Sequence, residues 1–120
     1  MDIFNTIKEA LCEILDIEGD NITPETYVIR DLNAESIDLL ELGVHLNSRF
    51  SVKINDDEIF LGSLRMHIEE SDGRSEKREL YLKKKYPYLA EQRINEITDD
   101  LDGGPVLKIK DIVSYISSKL

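Results

Sequence analysis

The sequence predicts an all-α fold. Three observations carry that prediction: apolar residues recur at three- and four-residue intervals in several segments, only 6 Gly and 3 Pro interrupt 120 residues, and no stretch shows the convincing alternation of a strand. A length of 120 residues points to one domain with a single core. With 41% apolar and 33% charged residues, the chain has the composition of a soluble globular protein rather than a disordered or collagen-like one.

The first helix follows from Ile3, Ile7, Leu11, Ile14 and Leu15, an apolar stripe expected to end near Asp16. A long loop comes next. Within it Thr23-Pro24-Glu25 reads as a short helical turn, with a hydroxyl cap before a proline whose missing N–H costs nothing there, and Tyr27, Val28 and Ile29 can anchor the loop to the core. Ser36 to Phe50 reads as a second helix with two apolar faces. At about 100° per residue from Ser36, the residues Leu42, Leu46, Leu39, Phe50 and Gly43 fall in an arc of roughly 240° to 340°, which is the core face. Leu40, Val44 and Ile37 fall in a second arc of roughly 40° to 100°, beside Ser36 and bordered by Asp38 and Glu41.

Asn55-Asp56-Asp57-Glu58 is the polar start of another helix, with Ile59, Leu61, Leu64 and Ile68 available for burial, and Ser71-Asp72-Gly73 reads as a turn. Residues 76 to 86 are densely charged, and Tyr86-Pro87-Tyr88 separates them from an amphipathic run in which Leu89, Arg93, Ile94, Ile97 and Leu101 share a face. That stripe has to be buried, so helical structure over residues 76 to 101, packed near the second and third helices, is expected. Asp102-Gly103-Gly104-Pro105 is a stop, and Ile109, Ile112, Val113, Ile116 and Leu120 carry the last helix.

Charge restricts the partners. Lys and Arg number 15 against 25 Asp and Glu, a formal charge of -10, and residues 1 to 59 alone hold 14 acidic and 4 basic side chains. Such a surface opposes phosphate backbones and anionic membranes, so neither nucleic acid nor stable membrane insertion is expected. The run Lys83-Lys84-Lys85 with Tyr81, Tyr86 and Tyr88 reads as a solvated helix face, because Glu76, Glu79 and Glu91 are interspersed with it. Cys12, the single cysteine, excludes an internal disulfide and reads as a core or boundary residue; with His45 and His67 the only histidines, structural zinc is excluded too. His45 sits at about 180° on neither apolar arc of its helix and reads as solvated. Asp16-Ile17-Glu18-Gly19-Asp20 places its glycine fourth and lacks an acid at the twelfth position, so it is not an EF-hand loop. Without a run of roughly 18 apolar residues or a signal core, a cytoplasmic location is expected.

The stretch Asp31-Leu32-Asn33-Ala34-Glu35-Ser36-Ile37-Asp38, continued by Leu42 and Phe50, resembles the acyl carrier protein family around its modified serine, where the family pattern is Asp-Leu-Gly-x-Asp-Ser-Leu-Asp. Ile109 to Ile116 is similar to the family's final helix, so the resemblance covers residues 1 to about 60 and 106 to 120. It implies a four-helix bundle and a 4'-phosphopantetheine, taken from coenzyme A and attached covalently to Ser36, whose thiol holds acyl groups as thioesters. It further implies a substrate carrier, not an enzyme, that is loaded by a phosphopantetheinyl transferase and then serves acyl-loading, acyl-transfer or condensing enzymes of lipid or related biosynthesis, as a monomer. Docking would use Ile37, Leu40 and Val44 within an acidic rim of Glu35, Asp38 and Glu41. A residue at a helix start suits the chemistry, since a phosphodiester there meets free N–H groups and the positive end of the dipole.

Three departures from the family stand out. Glu35 and Ile37 replace the usual Asp and Leu; Asn47-Ser48-Arg49, Ser51 and Lys53 stand where acids are common; and Ser36 and Ile109 lie 73 positions apart, more than twice the ordinary separation. Residues of about 62 to 105 therefore read as a helical insertion in a single carrier domain, which marks a specialised carrier. The competing expectation is an unmodified acidic helical adaptor that uses the same surface for protein binding alone.

Overall fold

The computed structural model describes residues 2–73 and 77–120, and among them it is helical throughout, with α1 Ile3–Leu15, α2 Ser36–Phe50, α3 Asp56–Ile59, α4 Leu64–Asp72, α5 Arg78–Lys85, α6 Glu91–Asp99 and α7 Ile109–Lys119. The expected start of insertion helix at Glu76 lies outside the described residues. Each helix begins and stops for a local reason. The Asp2 carboxylate accepts the Asn5 N–H at 3.1 Å to cap α1, and Asp16, in the left-handed region at φ 55°, ends it. Asn55 caps α3 in the same way, its side-chain oxygen accepting the Glu58 N–H.

A bundle of α1, α2, α3 and α7 forms the carrier half: α1 packs against α2 and α7, and α3 bridges α2 and α7. Its centre is fully buried Ile7, Leu11, Leu42, Leu46, Ile59, Ile109, Ile112 and Ile116. Gly43 lets α3 approach, because a Cβ there would stand 2.6 Å from the Asp56 carboxylate. The long α1–α2 loop is stitched to the chain before α7. Val28 N–H donates to Leu107 C=O at 3.0 Å, Ile109 N–H to Thr26 C=O at 3.1 Å, and Lys110 N–H to Pro24 C=O at 3.0 Å. Thr23 to Glu25 forms a turn and not a helix, and of the three expected anchors only Val28 is buried, with Tyr27 and Ile29 partly so.

The insertion departs from expectation in three places. The run from Asn55 to Ile68 is not one helix: α3 stops after one turn, Leu61 takes a left-handed φ of 58°, and Leu64 and Ile68 lie on the separate α4. Ser71 and Asp72 belong to α4, with the Ser71 hydroxyl donating back to Ile68 C=O at 2.7 Å. The insertion also grips α7 in addition to the expected α3. Tyr88 is the joint: its hydroxyl donates to Glu58 C=O at 2.6 Å, and its ring meets Tyr115 of α7 edge-on at 5.2 Å and Tyr86 at 6.3 Å. From the other side, Arg93 of α6 reaches the start of α7.

Candidate functional site

Ser36 is delivered by the end of the α1–α2 loop. The Asp31 carboxylate accepts the Tyr27 N–H at 2.9 Å, Asn33 N–H donates to Ile29 C=O at 2.9 Å, and Asn33 turns through the left-handed region at φ 58°. Ala34 is then buried and Glu35 extended, so the helix begins at Ser36 with its side chain outward. Ser36 is exposed, and no hydrogen bond holds its hydroxyl among the described residues. The first intrahelical bond runs from Leu39 N–H to Glu35 C=O at 3.1 Å, which leaves the N–H groups of Ser36, Ile37 and Asp38 without helical partners. Asp38 turns its carboxylate back to accept the Glu35 N–H at 2.8 Å, which occupies that acid as a cap.

The two arcs of α2 differ in burial as their angles imply. Leu42 and Leu46 are completely buried, whereas Ile37 is 70%, Leu40 56% and Val44 72% exposed. Glu35 and Glu41 are exposed beside them and Asp38 is partly buried. An apolar strip with a carboxylate border thus lies open to solvent next to Ser36. Among the other residues considered, His45 is exposed and Cys12 partly buried; His67 pairs with Glu70 at 2.9 Å and stacks edge-on with Tyr86 at 5.8 Å. Tyr81 and Tyr86 are buried and so unavailable to stack on bases. Among the described residues, no cluster of His, Cys, Asp and Glu is placed to hold a metal, and no helix is long and apolar enough to cross a membrane.

On the other flank of Ser36, a cleft of about 520 Å³ runs between Leu39 of α2, the Phe60 to Met66 segment, and residues 101 and 104–107 ahead of α7. Leu39, which lines it, stands one helical turn from Ser36.

Two polar joints that hold the insertion were not legible as sites. Arg30 NH1 donates to the Asp100 carboxylate at 3.1 Å, its NH2 to the carbonyls of Asp100 and Gly104 at 3.0 Å each, and the Tyr27 hydroxyl donates to the other Asp100 oxygen. Those bonds from Tyr27 and then Arg30 hold the Asp100 carboxyl below its usual range, while the same carboxylate pushes the Tyr27 phenol up. In the second joint, Arg93 Nε and NH2 donate to the two Asp111 oxygens at 2.6 and 2.8 Å, and NH2 also to Val106 C=O at 2.7 Å. Burial alone would lower the Arg93 pKa, but the bonds to Asp111 outweigh it and raise it. A signal for this joint existed: Arg93 lies on an otherwise apolar stripe, and a buried guanidinium requires a buried acid.

Comparison with known proteins accords with this geometry. The family model for the phosphopantetheine attachment site matches residues 5–66. The acyl carrier protein of Helicobacter hepaticus is 40% identical over 58 residues, 48% of this chain and 76% of that protein. The acyl carrier protein of Lactobacillus acidophilus is 40% identical over 57 residues, 48% of this chain and 71% of its own length. That of Helicobacter pylori strain G27 is 31% identical over 75 residues, 59% of this chain and 96% of its own length. No solved structure matches the chain.

Proposed function

The chain belongs to the acyl carrier protein family, whose members bear a covalent 4'-phosphopantetheine, and from that premise we propose that Ser36 is its attachment point. The observation that carries the proposal is an exposed serine at the first position of α2, inside the family match, with its hydroxyl unengaged. The residues present fit the group. The N–H groups of Ser36 and Ile37, without helical partners, favour a phosphodiester anion at the helix start, and Asp38, the acid one turn further on, is directed to the Glu35 N–H as a cap. The arm, when bound, supplies a thiol on which acyl groups are activated as thioesters. The protein itself tethers and delivers.

In this reading residues 1 to 120 form one carrier domain with an insertion at about 62–105, and the protein works as a monomer. A phosphopantetheinyl transferase and acyl-handling enzymes of lipid or related biosynthesis dock on Ile37, Leu40 and Val44, and their basic patches meet Glu35, Asp38 and Glu41. The open apolar strip supports that assignment, since exposed apolar side chains at 70%, 56% and 72% satisfy nothing within the fold. Incubation with coenzyme A and a broadly tolerant phosphopantetheinyl transferase is expected to add one phosphopantetheine to the wild type and none to Ser36→Ala, read by intact mass. A wild type refractory to every transferase tried, and unmodified when isolated from its host, would leave the adaptor reading standing instead.

A further inference from the structure

The surface of this protein is divided by charge between two helices. Along α2, residues 35 to 44 carry three acids and no base, and Ile37, Leu40 and Val44 stand exposed among them. Along α5, residues 77 to 85 carry five bases against one acid, in a chain whose net charge is -10. We propose that α5 of one copy docks on the α2 strip of a second copy, a weak head-to-tail self-association led by opposite charge, with Leu80 as its apolar centre.

The outward face of α5 follows from burial and helical angle together. Tyr81 and Leu82 are buried and hold the helix to the insertion, whereas Leu80 is 58% exposed. With Leu80 at 0° and about 100° per residue, Lys84 falls at about 40°, Lys77 at about 60° and Lys83 at about 300°. The leucine is thus ringed by ammonium groups, the inverse of α2, where apolar side chains are ringed by carboxylates. Lys83 Nζ donates to the carbonyls of Pro87 and Leu89 at 3.0 and 2.5 Å, neutral acceptors that place its charge without cancelling it. Glu79, the one acid of the segment, falls at about 260°, at the edge of this face.

The two faces match in length as well as in sign. Ile37 to Val44 rises about 10 Å along α2, and Lys77 to Lys84 rises as far along α5. Leu80 can therefore enter among Ile37, Leu40 and Val44 while the lysines meet Glu35 and Glu41. An anionic lipid surface would attract the same lysines, but it repels a chain of net charge -10 as a whole, whereas the α2 strip offers acid and apolar groups side by side. A contact of one leucine and a few ion pairs belongs with transient interfaces of less than about 1,200 Å². Copies accordingly meet only when concentrated, and the working carrier stays a monomer. The contact is heterologous, so each copy in a pair keeps one face open and further copies can add. An associated α2 strip is closed to partner enzymes, a consequence that rests on the reading of Ser36 as the attachment point; the association itself does not.

The test is sedimentation equilibrium of the full-length chain. The average mass is expected to climb above that of the monomer as concentration rises, and to fall back to it at about 1 M salt, where the Debye length is about 3 Å. Leu80→Glu and Val44→Lys, both at exposed positions, should each stay monomeric alone. An equimolar mixture of the two should regain association, since one supplies an intact α2 and the other an intact α5. Ser36→Ala should associate as the wild type does. A wild type that stays monomeric at every concentration, association that survives either charge change or high salt, or a mixture that remains monomeric overturns the proposal. So does a monomer that instead sediments, through Leu80, with vesicles of equal parts phosphatidylserine and phosphatidylcholine. Association in a chain that refuses phosphopantetheine would defeat the carrier reading and leave the self-association standing.

Discussion

Two helix starts in this protein share one local design and have opposite surroundings. At α2, Asp38 accepts the Glu35 N–H at 2.8 Å; at α7, Asp111 accepts the Lys108 N–H at 2.9 Å. In each case an acid three residues into the helix reaches back to close its first turn. At α2 the first helical residue is an exposed serine, and nothing packs over it. At α7 that position is fully buried Ile109, Asp111 is itself completely buried, and Arg93 covers the carboxylate. The same cap thus presents an exposed hydroxyl where the end is open and becomes a structural joint where a second element neutralises it. Local sequence forms the cap; tertiary packing decides its use.

The largest way to break this contrast is to uncover the buried end. Arg93→Ala leaves Asp111 charged and enclosed without its guanidinium partner, and removing one member of a buried pair costs about 3–5 kcal/mol. A matching fall in the urea midpoint is expected, with the insertion losing amide protection first, while the surviving folded protein still accepts phosphopantetheine at Ser36. A drop below about 1 kcal/mol would mean that water readily reaches Asp111, and that the two helix starts differ less than their geometry implies.

The contrast also explains what was legible. Eight consecutive residues, Asp31 to Asp38, mark the proposed site because the open start of α2 is made by local chemistry: the Asp31 turn, the left-handed Asn33 and the Asp38 cap all lie within one short stretch. The two faces of α2 follow from helical geometry alone. Arg30 with Asp100 and Arg93 with Asp111 are 70 and 18 positions apart, and no periodicity pairs them. For the same reason the insertion's helices and their approach to α3 could be expected from the Leu89 to Leu101 stripe, but docking on α7 could not, since Tyr88 reaches Tyr115 through the fold. The break of Asn55 to Ile68 into two helices turns on Leu61 at φ 58°, a conformation that leucine seldom adopts and no propensity foretells.

At the open end, the next effect separates docking from folding. Val44→Lys puts a cation into the exposed strip, and being 72% exposed the residue contributes little to the core. Stability should stay within about 0.5 kcal/mol. Loading by a partner enzyme should weaken about tenfold at low substrate, as kcat/KM measures. An unfolded variant would place Val44 in the core and remove the docking surface.

A smaller effect comes from the α2 cap itself. Asp38→Ala frees the Glu35 N–H, and loss of a cap side chain costs about 1 kcal/mol. Because the freed group faces water at an open end, the loss should sit toward the lower part of that range, well below that of Arg93→Ala, with Ser36 still modifiable. Equal costs for the two changes would show that the two ends are equally shielded.

The smallest effect is electrostatic and lies at the margin of the buried end. Glu25 accepts from Lys108 at 2.9 Å and from Lys110 at 2.9 Å, and these bonds lower its pKa from 4.5 to about 2. A carboxylate whose folded pKa is depressed stabilises the fold fully above its unfolded value, and that contribution is lost as protonation proceeds from pH 4.5 down to about 2. Its side chain is 62% exposed, so solvent screens the pair and the slope it adds to an acid unfolding curve should be slight. Glu25→Gln is therefore expected to flatten the stability profile a little in that window and to leave it unchanged at neutral pH apart from a small constant loss. The Glu25 side-chain carboxyl, followed by NMR, should titrate well below 4.5 in the wild type and return toward it in Lys110→Gln. An ordinary titration in the wild type would detach Glu25 from the start of α7 and leave Arg93 as the main electrostatic tie there.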